Sequence, residues 1–293
     1  MSKKNFVVSD EELEELISRY CRDFTALERS GKFDPITGRD KEITETILIL
    51  LQKGRKNAAL LAPAGVGKTA MVAGLAQYIV RGDVPEALKD ARVLEIEMSR
   101  MAAGTTSDAE FQGRFLPLCK GMAERYGIEG YPKFILFIDE FHMIMPGVQG
   151  SAYCGMSDVL KPYLTVGDLY VLAATTLEEY RMYVTPDEAL DRRFQKVPLK
   201  VPNHEETVNI LKALRKGYEK HHRITIPDEC LELAVKLTNE FMPRRNQPDK
   251  AIVMMDGASA WHVMQNGWGG ELTLDDIRYM VSIETKMAAE ALQ

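Results

Sequence analysis

The chain has 293 residues, 45% of them hydrophobic and 27% charged, the balance of an ordinary globular protein rather than a disordered or membrane-embedded one. With 37 Lys and Arg against 43 Asp and Glu, the formal charge is −6. That argues against a surface built mainly for phosphate backbones, although a local basic patch could persist, so nucleic acid stays a secondary partner.

The opening stretch MSKKNFVVSDEELEEL lacks an apolar core of signal-peptide length, and the longest aliphatic runs, ILILL (47–51) and FILFI (134–138), are too short to cross a bilayer. A soluble, cytoplasmic protein without membrane insertion is expected. Cys21, Cys119, Cys154 and Cys230 form no C-x-x-C pair, which fits reduced thiols rather than a zinc knuckle or a redox motif. The five histidines, His221 and His222 among them, show no metal-ligand spacing, and structural or surface roles are expected.

In chain order, SDEELEELISRY reads as a capped helix with Ser9 as N-cap, Glu12 at N3 and Leu13, Leu16 and Ile17 on one face, which would dock on the protein's own core or on a partner. A helical period follows in KEITETILILLQKG (41–54), with Gly54 as its expected terminator. NAALLA (57–62) is a buried-strand candidate, and KTAMVAGLAQYIVRG (68–82) resumes the helical period. Further strands are expected at RVLEIE (92–97), KFILFID (133–139) and LYVLAAT (169–175), with a weaker one at KVPL (196–199) because of its proline. Nearly continuous apolar strands alternating with helices predict an α/β fold, a parallel sheet covered on both faces. After Pro202 four helical patterns run to the end. The expected division is a helical extension over 1–30, a large nucleotide-binding domain over 31–202 and a small all-helical lid over 203–293.

Between the strand at 57–62 and the helix at 68 lies APAGVGKT, a phosphate-binding loop in which Ala62 stands where the pattern G-x-x-x-x-G-K-[ST] has its first glycine. Successive backbone N–H groups at a helix N-terminus make an anion-binding concavity, and the glycines supply the backbone freedom it needs. Ala64, Gly65, Val66, Gly67, Lys68, Thr69 and Ala70 form the candidate cradle, with Lys68 reaching the terminal phosphates of ATP and Thr69 ligating Mg2+. An alanine at 62 is tolerable if its φ is negative and awkward if positive. The strand FILFIDE ends in two carboxylates: Asp139 is a candidate for the magnesium shell and Glu140 for activating the attacking water.

From these motifs onward the chain resembles a known family. The stretches YCRDFTALERSGKFDPITGRDKEI, PAGVGKTAMVAGLAQYIVRGDVPEALKDARVLEIEM, FILFIDEFHMI, DVLKPYLTVGDLYVLAATTLEEYRMY, LDRRFQKV and QPDKAI look like the first AAA+ domain of the ClpA, ClpB and ClpC unfoldases and disaggregases. The match covers most of residues 20–287. It implies a P-loop AAA+ fold with a helical lid, ATP hydrolysis with Mg2+, and a homo-oligomeric ring, usually a hexamer. By that resemblance Thr176 matches sensor 1, and Arg192 and Arg193 match the arginine fingers that reach a neighbouring subunit's nucleotide. Ile36, Thr37 and Gly38 match the segment beside the adenine, Ile210 the lid over it, and Lys250 the sensor 2 region, where many AAA+ modules carry arginine. Without the resemblance, an Arg-Arg pair reads as a solvated surface feature and the apolar residues as core.

The departures from the family bear on what the ATPase drives. The family's loop after the second strand carries a pattern like A-G-A-K-Y-R-G-E-F, whose tyrosine grips polypeptide in the central channel. Here AGTTSDAEF places Ser107 at the aromatic and Asp108 at the cation. An aromatic buries roughly 150–250 Å² that a serine cannot, so poor gripping of extended peptides is expected. Tyr153, in the loop MPGVQGSAYCGMS (145–157), could compensate but reads more simply as incidental. The family's N-terminal domain, coiled-coil insert, second ATPase module and peptidase-docking loop are not found, and the initiating methionine suggests a complete short protein. The leading reading is a ring-forming ATPase that remodels a protein complex without efficient threading. The alternative is a nucleotide-gated scaffold acting on a protein or, less readily, on DNA.

Overall fold

The structure is a computed structural model that describes residues 6–105, 107–148, 153 and 155–288. Thr106 and Cys154, both part of the sequence reading, lie outside the described residues, as do residues 149–152 of the loop before Cys154. The chain divides into two compact units. The first takes in the chain to Phe33, Lys41–Ala62 and Lys68–Leu199, and the second takes in Asp34–Asp40, Pro63–Gly67 and the chain from Lys200.

The first unit is built on a six-stranded sheet of β1 (Cys21–Asp23), β2 (Asn57–Leu61), β3 (Arg92–Ile96), β4 (Phe134–Ile138), β5 (Tyr170–Thr175) and β6 (Phe194–Pro198), in the order β1-β3-β4-β5-β2-β6. Strands β2, β4 and β5 are buried along their whole length, which is why they read as unbroken apolar runs. β2 to β6 pair in parallel, as the alternation with helices predicts, but β1 pairs antiparallel with β3. The sheet is thus mostly parallel, with one antiparallel edge. β6 is the other edge, and Pro198 sits at its last position, where a missing ladder donor is tolerated.

The stretch before residue 31 is more than a helical extension, because it supplies β1 and part of the core. Ser9 caps the helix Asp10–Tyr20 by accepting from Glu12 N, and Leu13, Ile17 and Tyr20 are buried against Phe115 and Leu118 of the helix Asp108–Glu124. Arg125, with a side chain only 1% exposed, fastens this segment. Its guanidinium donates to Val8 O at 3.0 Å, Gly121 O at 2.6 Å and Asp10 Oδ1 at 2.5 Å, and lies over the Phe6 ring. The helix expected to run to Gly54 spans Asp40–Leu50 instead, and Gly54 has no left-handed φ with which to end it.

The second unit packs the helices His204–His222, Asp228–Phe241, Asp249–Asn266 and Leu274–Thr285 around Leu211, Leu231, Val235, Met254, Met255 and Ile277. Two of these helices start with reciprocal capping boxes, Asn203 with Glu206 and Thr273 with Asp276. His262 Nδ1 lies 2.8 Å from Asp276 Oδ2 in the interior. Burial disfavours the Asp276 charge, but hydrogen bonds from Thr273 and His262 outweigh it and hold the carboxyl below its usual range. No helix among the described residues is long and apolar enough to cross a membrane.

Candidate functional site

In the first unit, Ala62 continues the β2 ladder by one residue. Its N–H donates to Thr175 O at 3.2 Å, it is 2% exposed, and its φ is not positive. This position therefore needs no glycine, and the missing first glycine of the loop is accounted for. Lys68 opens the helix Lys68–Arg81, and its buried Nζ donates to Ala62 O at 3.1 Å. Thr69 Oγ1 donates to Asp139 Oδ2 at 3.0 Å, joining the helix start to the tip of β4.

Glu140, the next residue, adopts a left-handed backbone (φ 47°, ψ 48°) with its N–H bonded to Asp139 Oδ1. A non-glycine residue there costs about 1–2 kcal/mol, and such strain persists only where the surroundings impose it. Burial raises the Glu140 pKa, and the charges of Asp139 and Glu179 add to that against the opposing pull of Lys68 and His142. A carboxylate so shifted is a stronger base than a free one.

Around it stand residues that the sequence reading did not single out. His142 Nδ1 is 3.0 Å from Thr175 Oγ1 and 3.4 Å from carboxylate oxygens of both Glu140 and Glu179. Glu179 Oε2 accepts from Thr175 Oγ1, Thr176 N and Thr176 Oγ1. Thr176, the sensor 1 candidate, is thus the N-cap of the turn Leu177–Glu179. The T-x-x-E spacing is a capping-box signal that could have revealed this pair. Arg192 is exposed, its Nε bonded to Glu188 O at 3.1 Å, while the Arg193 carbonyl accepts from Asn57 Nδ2 at 3.4 Å. Neither of these bonds brings an arginine into the group around Glu140.

In the second unit, the loop's carbonyls are held in sequence. Asn246 Nδ2 donates to Ala64 O at 3.0 Å, Asp249 N to Gly65 O at 3.4 Å and Arg39 Nη2 to Val66 O at 2.7 Å. In a trans peptide the N–H points opposite to the C=O, so the N–H groups of Gly65, Val66 and Gly67 point away from these partners, as an anion cradle requires. Gly65 (φ 78°) and Gly67 (φ 97°) adopt left-handed backbone, and a Cβ on Gly65 would come 3.0 Å from Asp249 Cβ. Arg39, Asn246 and Asp249 were not foreseen as loop anchors, since a buried arginine in a polar stretch carries no periodic signal.

Also in this unit, Gly38 (φ 74°) lies beside Ile210, 4.0 Å from Cγ1 to a Cβ built on the glycine, so two members of the predicted adenine set meet. Ile36 is half-buried and Thr37 exposed. Lys250 points inward: its Nζ donates to Met242 O at 3.2 Å, and burial lowers its pKa. It is Asp249, its neighbour, that lies against the loop.

Ser107 is the N-cap of the helix Asp108–Glu124, its hydroxyl accepting from Glu110 N at 3.3 Å. The Tyr153 ring packs on Phe111 (centroids 5.5 Å apart) and against the core. Cys21, Cys119 and Cys230 are buried free thiols, and burial pushes Cys21 up to about 12 and Cys230 to about 11.

Residues 58–199 match the family described as "ATPase family associated with various cellular activities (AAA)", and residues 203–289 match the AAA lid domain. The chain is 44% identical over 260 residues to the ATP-dependent Clp protease ATP-binding subunit ClpC of Staphylococcus aureus (strain USA300), covering 89% of this chain and 31% of that protein. It is 42% identical over 277 residues to the chaperone protein ClpB of Rhizobium meliloti (strain 1021), covering 94% and 31%. It thus spans about a third of the length of these relatives. Among solved structures, the Saccharomyces cerevisiae Hsp104–ADP complex matches with a TM-score of 0.84 at 34% identity, covering 94% of this chain and 46% of that one. Hsp104 with ATPγS and FITC casein matches with 0.81 at 35% identity, covering 92% and 45%. The nucleotide loop, the paired carboxylates after β4 and the helical second unit thus coincide with shared sequence along most of the chain, which belongs to the AAA ATPases of the Clp/Hsp100 family.

Proposed function

We propose that copies of this chain assemble into a ring, usually a hexamer in this family, and couple ATP turnover to remodelling a protein complex without firmly gripping extended polypeptide. In the cytoplasm, Lys68 and the N–H groups from Ala64 to Ala70 would hold the ATP phosphates, and Ile36, Thr37, Gly38 and Ile210 the adenine. Lys250 would contribute through the segment it shares with Asp249. The hard oxygen donors Thr69 and Asp139 fit Mg2+, which prefers such ligands and neutralises charge on the phosphates. Glu140 would take the proton of the attacking water, Thr176 would bond near the transferring phosphoryl group, and Arg192 or Arg193 would reach the nucleotide of the adjacent copy. The large and small domains would divide at residue 202, a boundary supported by the family matches at 58–199 and 203–289.

The single observation behind the weak-grip reading is Ser107, a helix cap where the Clp relatives' loop has an aromatic. It equally favours a second reading, a nucleotide-gated scaffold that binds a protein partner with ATP and releases it on hydrolysis. The net charge of −6 makes DNA the weaker partner.

Mixing two inactive variants tests the shared site. Glu140→Gln and Arg192→Ala/Arg193→Ala protomers should each lack turnover and regain it when combined, because a neighbour restores the missing group. No recovery, or full turnover by a monomer, would refute the assembly. An ATP-dependent disassembly assay on a captured partner complex separates the two readings, since the remodeller takes the complex apart and the scaffold releases it intact.

A further inference from the structure

We propose that Glu179 and His142 are positioning residues that fix the polarity of the Thr176 hydroxyl, making it an acceptor for the attacking water rather than a donor to the terminal phosphate. The inference rests on the reading above that Glu140 activates that water.

A threonine hydroxyl has one proton and two lone pairs. At Thr176 the proton goes to Glu179 Oε2 across 2.8 Å, and one lone pair accepts from Glu179 N at 3.2 Å. What remains is a single lone pair. A hydroxyl in that state cannot donate to a phosphate oxygen, but it can accept from water. A water giving one proton to Glu140 and the other to Thr176 would be held at both hydrogens, with its own lone pair free to attack.

The same counting fixes His142. Thr175 Oγ1 spends its proton on Glu179 Oε2 at 2.9 Å, so towards His142 Nδ1, 3.0 Å away, it can only accept. Nδ1 therefore carries a proton. That proton lies at the edge of the ring, where Nδ1 is also 3.4 Å from oxygens of both Glu140 and Glu179. The imidazole is 11% exposed and stacks on Tyr183 with ring centroids 6.0 Å apart, which limits its rotation. His142 thus ties the half-exposed Glu140 carboxylate, on its strained backbone, to the group that orients Thr176. Burial works against the Glu179 charge, but the hydrogen bonds from Thr176 and Thr175 outweigh it, so the carboxylate stays ionised and its claim on the Thr176 proton is permanent near neutral pH.

The test compares kcat with nucleotide affinity. Glu140→Gln comes first: turnover at the parent rate would sink the underlying reading and this inference with it, whereas the Thr176 and Glu179 variants bear on this inference alone. With that variant inactive, Thr176→Val should lower kcat while leaving the preference for ATPγS over ADP unchanged, because no bond to the terminal phosphate is lost. Glu179→Met frees the Thr176 proton and should lower kcat on the order of a hundredfold through misplacement of the water, while strengthening the ATPγS preference. Glu179→Gln keeps an acceptor for Thr176 and should retain most turnover. His142→Asn, which keeps a donor near the Nδ1 position, should likewise outperform His142→Leu, which only fills the space. A Thr176→Val variant that loses about tenfold or more in ATPγS preference, the worth of a bond to a charged group, would overturn the inference. Parent-like kcat in Glu179→Met would do the same. If Glu179→Met fails to fold, the Thr176→Val affinities decide alone.

Discussion

Thr69 and Asp139 are joined by a 3.0 Å hydrogen bond from hydroxyl to carboxylate, which links the first turn of the helix after the loop to the tip of β4. Asp139 also receives the Glu140 N–H, so one carboxylate organises both the oxygen pair suited to Mg2+ and the strained backbone of the residue that follows. Asp139→Asn should therefore affect metal-dependent binding first. Parent protein should bind ATP more tightly with Mg2+ than with EDTA, and the variant should lose roughly tenfold or more of that difference. Equal dependence in the two proteins, measured by calorimetric titration, would remove Asp139 from the metal site.

Restoring the loop's first glycine is expected to gain nothing. Ala62 has no positive φ and its N–H is bonded into the sheet ladder, so Ala62→Gly should leave nucleotide affinity unchanged and cost about 0.5–1 kcal/mol through backbone entropy. Thermal unfolding and nucleotide titration of the same variant check both halves. A clear gain in affinity would mean that the methyl group obstructs the loop.

Ser107→Ala should lower stability by about 1 kcal/mol, since an orphan N–H of the helix Asp108–Glu124 loses its acceptor. Tyrosine at the same position would lose the cap equally, so an aromatic cannot be reinstated there at no cost to the helix. Melting temperatures of the two variants should fall together, and a tyrosine variant as stable as the parent would show that the cap contributes little.

Glu95, on β3, is pushed from 4.5 up to about 7, chiefly by burial, with Arg22 opposing and Asp139 and Glu97 reinforcing the shift. The folded state then binds this proton more tightly than the unfolded chain, so this group's contribution to stability falls as pH rises from about 4.5 to 7. Glu95→Gln should be the more stable protein above pH 7, while the two should converge in acid. The shift alone corresponds to roughly 3 kcal/mol, and screening by solvent reduces the expected gain to on the order of 1 kcal/mol. Denaturant melts at pH 5 and pH 8 would show it, and equal pH slopes in the two proteins would contradict it.

The strands that carry the site were readable because β2, β4 and β5 are buried on both faces and leave unbroken apolar runs. β1 was not, since Cys-Arg-Asp is three residues long with one side chain buried and the next exposed, too brief for any period to register. The loop and the carboxylates Asp139 and Glu140 were legible as spaced residue types. The Glu179 and His142 contacts were not, because they depend on where β4 and β5 end relative to each other. Arg39, Asn246 and Asp249 escaped notice for a related reason: they touch backbone, and a bond to a carbonyl leaves no complementary residue to search for. Tyr153, read as incidental, packs on Phe111 and the core.

The guanidinium of Arg125 sits in the interior with its counter-charge and one of its carbonyls supplied by Asp10 and Val8. Trimming the chain past Asp10 would leave a cation marooned in oil, next to ring faces that cannot replace an anion. The stretch that looks most like packaging is the plug that seals this side of the sheet, and a tag added ahead of it should be tolerated far better than its deletion.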